Sequence, residues 1–215
     1  MNRNIKGLIF FGDSILAGTG ASSRDLCCAK LIKEALKIPV SLRARNWNTS
    51  QDGVARLESE VLTQKNHSHV IILFGNNDCW LTDAGQSKVD LKQTIANLQW
   101  MANCILKNFQ TPIFCNLQPI NIDKLFKRYP HLCTESNKHH LSKIQATYND
   151  EIEKTIANMK LDLVDIRSKL EDEINEVLAD DGLHPNDRGH KIIADAIIAR
   201  LIQIDPVLHM KSNAC

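Results

Sequence analysis

Five short apolar runs, each parted from the next by a segment of helical periodicity, constrain this chain more than any other feature. The runs occupy residues 5–11, 40–45, 69–74, 112–117 and 161–166. Between them, apolar side chains recur every three or four residues. Leu31, Ile32, Ala35 and Leu36 share one helical face, and Val54, Leu57, Val61 and Leu62 a second. Leu91, Ile95, Leu98, Ala102 and Ile105 form a third stripe, and Leu141, Ile144 and Tyr148 begin a fourth. A last helix turns Ile192, Ile193, Ala196, Ile197 and Leu201 inward. Strand runs alternating with helices predict an α/β chain with a parallel sheet, because parallel neighbours need a crossover connection.

The character of each run predicts its place in the sheet. The first, third and fourth are almost wholly apolar, as strands covered on both faces must be. The second alternates Val40, Leu42 and Ala44 with Ser41, Arg43 and Arg45, and the fifth sets Leu161 and Leu163 against Asp162, so both read as edges. The order 2-1-3-4-5 follows, a flavodoxin-like doubly wound sheet whose ligands bind beyond the carboxyl ends of the strands. Ser22 and Asp25 fit a capping box for the first long helix. Residues 118–139 form the longest stretch without a periodic pattern and predict a binding or lid loop.

A chain of 215 residues, 43% hydrophobic and 24% charged, suits one domain, residues 1–215, with a substantial core. A net charge of +1 gives no general attraction to nucleic acid or anionic membrane. No apolar stretch has the length of a membrane span, and the opening residues lack the marks of a signal peptide. Seven cysteines without CxxC spacing read as reduced thiols, so a cytoplasmic setting is expected.

Three polar clusters fall on the predicted carboxyl rim. Gly12-Asp13-Ser14 follows the first strand, Gly75-Asn76-Asn77-Asp78 follows the third, and Asp181-Gly182-Leu183-His184-Pro185 precedes the last helix. A serine hydroxyl needs an adjacent base to become a nucleophile. Imidazole suits that work, and a carboxylate fixes its tautomer. Three residues on a tight turn separate Asp181 from His184, so one short segment supplies both base and orienter. Ser14 is then the nucleophile, and the Asn77 amide with the Ser14 backbone N–H are natural donors to an oxyanion. Each cluster alone is an ordinary turn sequence; the three together on one rim are not.

In these three blocks the chain resembles the SGNH (GDSL-type) hydrolases: Gly12-Asp13-Ser14, Gly75-x-Asn77-Asp78, and Asp181-x-x-His184-Pro185. The resemblance spans residues 5–201, specific in the blocks and generic between them. It implies a three-layer α/β/α sandwich and an acyl-enzyme mechanism that uses neither metal nor cofactor. Small-molecule substrates are implied among esters, thioesters, lysophospholipids and acetylated sugars. Asp13 and Asp78 become supports that hydrogen-bond the loops. One block departs from the pattern. The family offers a glycine N–H after the second strand, whereas this loop reads Asn46-Trp47-Asn48-Thr49-Ser50-Gln51-Asp52-Gly53. Matching forward puts Gln51 at the glycine position; matching backward puts Trp47 there. Either keeps an N–H but narrows the pocket, which favours short acyl groups.

Other features read more plainly. Cys133, His139 and His140 fit no zinc spacing. His190 is expected on the exposed first turn of the last helix. Trp80 either lines a pocket or packs in the core, and Leu125, Phe126, Tyr129 and Leu132 either cover an acyl chain or form a satellite core. Gly18-Thr19-Gly20 lacks the ending of a phosphate-binding loop. Two further functions fit the sequence: a family member that binds acylated ligands without cleaving them, and a flavodoxin-like module for a nucleotide or flavin.

Overall fold

The structure, a computed structural model, describes residues 4–82, 84–130 and 138–208. Five parallel strands form one sheet in the order β2-β1-β3-β4-β5. They are β1 (Leu8–Gly12), β2 (Val40–Leu42), β3 (His69–Leu73), β4 (Thr111–Cys115) and β5 (Asp162–Val164). Every residue of β1, β3 and β4 is buried, while β2 and β5 are partly exposed, so the apolar runs are central and the alternating ones are edges.

Because successive side chains point to opposite faces, each central strand feeds two cores. Leu8, Phe10, Ile71, Leu73, Ile113 and Cys115 face α2 (Cys28–Leu36) and α9 (Asp187–Ile204). Ile9, Phe11, Val70, Ile72, Phe74 and Phe114 face α3 (Ser50–Leu57), α4 (Leu91–Lys107) and α6 (Lys138–Asn158). Helices on both faces make the expected three-layer α/β/α sandwich. Shorter elements complete the described chain. They are α1 (Ser14–Ala17), α5 (Ile122–Arg128), α7 (Arg167–Glu171), α8 (Ile174–Val177), a 3₁₀ turn at Arg24–Leu26 and a π-helical turn, Glu58–Leu62, that prolongs α3. No described helix is long and apolar enough to cross a membrane.

Three expectations need correction. The capping box does not form: the Ser22 N–H and hydroxyl both donate to the Asp187 carboxylate, and α2 begins only at Cys28, with no side-chain cap at Cys27. The segment after β4 is not wholly irregular, since the Asn121 side chain accepts from the Lys124 N–H and starts α5. His190 is fully buried, because it shares the inward face of α9 with Ile193, Ala194, Ile197 and Leu201.

Candidate active site

Ser14 stands two residues beyond the carboxyl end of β1, at the first position of α1. The Asp13 side chain caps that turn by accepting the Ile15 N–H at 3.0 Å. Asp13 is fully buried, and burial pushes its carboxyl up to about 7, against the pull of the Ile15 N–H, the Asn76 amide and the nearby His184. The Asn76 amide links Asp13 to Gln118, at 3.2 and 2.8 Å. Beneath the serine, therefore, lies a buried polar network that joins the ends of β1, β3 and β4.

His184 arrives from the other end of the chain on a closed turn. The Ala179 N–H donates to the His184 carbonyl, Leu178 bridges to Pro185, and the Asn186 side chain accepts the Gly189 N–H to start α9. Within the turn, Asp181 Oδ1 accepts the Leu183 and His184 N–H groups at 2.9 and 3.0 Å. Its Oδ2 lies 2.6 Å from His184 Nδ1, and His184 Nε2 lies 2.9 Å from Ser14 Oγ. A carboxylate at Nδ1 requires that nitrogen to carry the proton, which leaves Nε2 as the acceptor for the serine hydroxyl. Partial burial acts to raise the Asp181 carboxyl, but the His184 ring and the two backbone donors outweigh it and hold the group at about 2.

Asn77 and Asp78 come from the loop after β3. The Asn77 side-chain amide donates to the Asn48 carbonyl at 2.9 Å. Asp78, buried, fixes the start of α3 by accepting the Ser50 N–H and hydroxyl and the Thr94 hydroxyl. The supports expected at Asp13 and Asp78 are thus hydrogen-bonded loop anchors. Ser14, Asn77, Asp181 and His184 all line one cavity of about 170 Å³.

Of the two candidates for the second-block glycine, Trp47 lines this cavity and Gln51 does not. Trp47 has φ of 66°, the left-handed region that glycine favours. Gln51 sits inside the first turn of α3, exposed, and faces a separate groove of about 820 Å³. Thr19, Asn46 and Leu183 also line the cavity, and no motif marks them as lining residues. Tyr129 does so too, whereas Trp80 packs with Leu125, Leu141 and Leu183 in a satellite core. His140 lies exposed at the start of α6; Leu132, Cys133 and the His139 side chain lie outside the described residues. Among the described residues, no cluster of three or more His, Cys, Asp or Glu side chains is placed to hold a metal ion.

Fold and site together place the chain in the doubly wound α/β class, with a serine, an imidazole and a carboxylate hydrogen-bonded in line at the carboxyl rim of the sheet. The chain belongs to the GDSL-like Lipase/Acylhydrolase family, whose profile matches residues 10–192. Among solved structures it is similar to a member of the lipolytic protein G-D-S-L family from Veillonella parvula DSM 2008. That match has 17% identity over 90% of this chain and 96% of the other, with a TM-score of 0.70. The lipase/acylhydrolase from Enterococcus faecalis matches with 22% identity over 91% and 95% of the two chains, at a TM-score of 0.70. An acetyl xylan esterase matches with 24% identity over 90% and 98%, at 0.66. Comparison with curated proteins found no match.

Proposed function

We propose that the chain hydrolyses carboxylic esters or thioesters through an acyl-enzyme, with Ser14 as nucleophile, His184 as base and Asp181 as orienter. One observation carries this reading: an unbroken hydrogen-bonded line from Ser14 Oγ through both nitrogens of His184 to Asp181 Oδ2. Ser14 Oγ attacks the acyl carbonyl as its proton passes to His184 Nε2. The tetrahedral oxyanion is held by the Asn77 amide and the backbone N–H groups of Ser14 and Trp47. As the intermediate collapses, His184 returns the proton to the leaving alkoxide or thiolate, leaving Ser14 acylated. Water, deprotonated by the same ring, then attacks the acyl carbon and releases the acid.

A cavity of about 170 Å³ supports small acyl groups, since pockets for drug-sized ligands run to about 300–1,000 Å³. The free thiols of Cys27, Cys28, Cys79, Cys104 and Cys115 support a reducing, cytoplasmic setting. Turnover of p-nitrophenyl acetate tests the reading. Ser14→Ala is expected to lose at least about a thousandfold in kcat while keeping its circular dichroism spectrum. A fluorophosphonate probe should label the wild type at Ser14. A Ser14→Ala variant that still turns over the ester would end the proposal, and absence of labelling would favour a binder without turnover.

A further inference from the structure

Arg56 is buried, yet nothing in the sheet's apolar packing asks for a cation there. Its side chain leaves α3 and runs toward the carboxyl edge of the sheet. Nη2 donates to the Gly12 carbonyl at 3.2 Å, the last residue of β1 and two before Ser14. Nη1 donates to the Arg43 carbonyl just after β2 at 2.6 Å, and to Glu60 Oε2 at 2.7 Å. Nε donates to Asn48 Oδ1 at 2.7 Å, and the guanidinium carbon lies 4.6 Å from the centre of the Phe11 ring. A burial of this kind is costly, and an apolar residue of similar volume is often no worse for stability. What an apolar residue cannot do is hold acceptors from three separate segments in one rigid fork.

Those acceptors are not scattered. Gly12 leads directly to Ser14, and Asn48 follows Trp47 and gives its own carbonyl to the Asn77 amide; Ser14, Trp47 and Asn77 all line the same cavity. One guanidinium therefore ties both sides of the donor set at a fixed separation. We propose that Arg56 is a positioning residue that sets the spacing between the Ser14 N–H and the Asn77 amide, acting through Gly12 and Asn48. The inference rests on the reading of Ser14 and Asn77 above and adds to it a residue that lies outside all three family blocks. Lysine cannot replace it, because a single ammonium cannot make the forked contact.

Two measurements test it on the full chain, with Arg56→Met, Arg56→Lys and the same changes in an Asn77→Ala background. With p-nitrophenyl acetate, Arg56→Met is expected to lower kcat by roughly 30-fold or more with KM changed less than about threefold. Arg56→Lys should recover little of that loss, and in the Asn77→Ala background either change should cost less than about threefold further. Amide hydrogen exchange at residues 46–49 should rise at least about tenfold in Arg56→Met, while β1 and β3 keep their protection. Should Arg56→Met fail to fold, Arg56→Lys carries both readings. Losses that multiply independently of Asn77, or exchange at 46–49 that stays at the wild-type rate, would overturn the inference. The exchange result stands even if Ser14→Ala retains turnover, so failure of the proposed function and failure of the clamp are told apart.

Discussion

Gly20 lies so close to the His184–Pro185 peptide that a β-carbon added to it would stand 2.2 Å from the Pro185 carbonyl oxygen and 2.9 Å from His184 Cβ. Its φ of 97° is also one that side chains rarely tolerate. The stretch Gly18-Thr19-Gly20 thus has a job unrelated to phosphate: it lets the segment after Ser14 nest against the turn that carries the imidazole. His190 Nε2, 3.1 Å from the Thr19 carbonyl, holds the other side of that contact. Gly20→Ala is expected to push His184 away from Ser14, lowering kcat/KM by about 100-fold. It should also cost about 1–3 kcal/mol of stability. Steady-state kinetics beside urea denaturation checks both, and wild-type activity in this variant would mean that the imidazole is located by other contacts.

Asp181 is held ionised by its partners, and the sign of its effect on stability follows. Its folded value of about 2 lies below the ordinary 3.8, so its ionisation stabilises the folded protein above pH 3.8. That contribution, on the order of 2 kcal/mol, is lost as pH falls from about 3.8 through 2. Comparison of wild type with Asp181→Asn by denaturation should show a stability gap that shrinks as pH falls from about 3.8 through 2. Activity of the variant should drop roughly 10²- to 10⁴-fold, since an amide can present the wrong tautomer to His184. A gap that widened below pH 3.8 would contradict the assignment.

The sheet order is legible in the sequence because burial on two faces demands continuous apolar runs, and β1, β3 and β4 obey that demand while Ser41, Arg43 and Asp162 break it. Even the longer reading of the second run has a basis, as the Arg43 and Arg45 N–H groups continue the ladder to Phe10 and Gly12 past the end of β2. That Ser14, Asn77, Asp181 and His184 meet at one cavity is legible because each falls in a polar cluster just after a central strand or on the loop before the last helix, at the carboxyl rim. The choice between Gln51 and Trp47 is not, because it turns on where α3 begins. Thr49 and Asp52 form a reciprocal capping box that puts Gln51 inside the helix and leaves Trp47 on the loop. The spacing of His190 to Ile193, Ala194 and Ile197 encodes its burial, but its polar side chain argues for the surface. Arg56 has no such signal, since two of its partners are backbone carbonyls on other segments, and no side-chain pattern encodes those.

Asp13 gives a pH dependence of the opposite sign. Burial holds its carboxyl near 7, above the ordinary 3.8, so the folded state binds a proton that the unfolded state releases. Ionisation of this group therefore erodes stability as pH rises from about 4 to 7 and takes no more beyond. Asp13→Asn removes the titration and keeps the shape. The Asn76 Oδ1, which has no hydrogen-bond partner among the described residues, can turn to meet the new amide. The variant should gain stability relative to wild type on going from pH 4.5 to 7.5, seen as a rising difference in denaturation midpoints. A difference that is flat across this range would show that the carboxyl titrates where an exposed one does.

Trp47 sets the last expectation, on selectivity. A tryptophan in the left-handed region carries a backbone cost of about 1–2 kcal/mol that glycine does not. The residue is 57% exposed, so little burial offsets that cost, and its contact with the Lys88 ammonium, 5.9 Å from the ring centre, is a weak one. Trp47 nonetheless lines the cavity of about 170 Å³ at Ser14, so its side chain is expected to compete with a longer acyl chain for that space. Trp47→Gly keeps the backbone N–H and opens that space. The ratio of kcat/KM for p-nitrophenyl octanoate to that for the acetate should rise roughly tenfold or more, the scale at which a few methylenes are discriminated. The melting temperature should not fall, because relief of the left-handed tryptophan offsets the greater unfolded-state freedom of glycine. A wild-type ratio in this variant would show that the indole does not limit acyl length, and the limit would then lie with Tyr129 and Leu183, which line the same cavity.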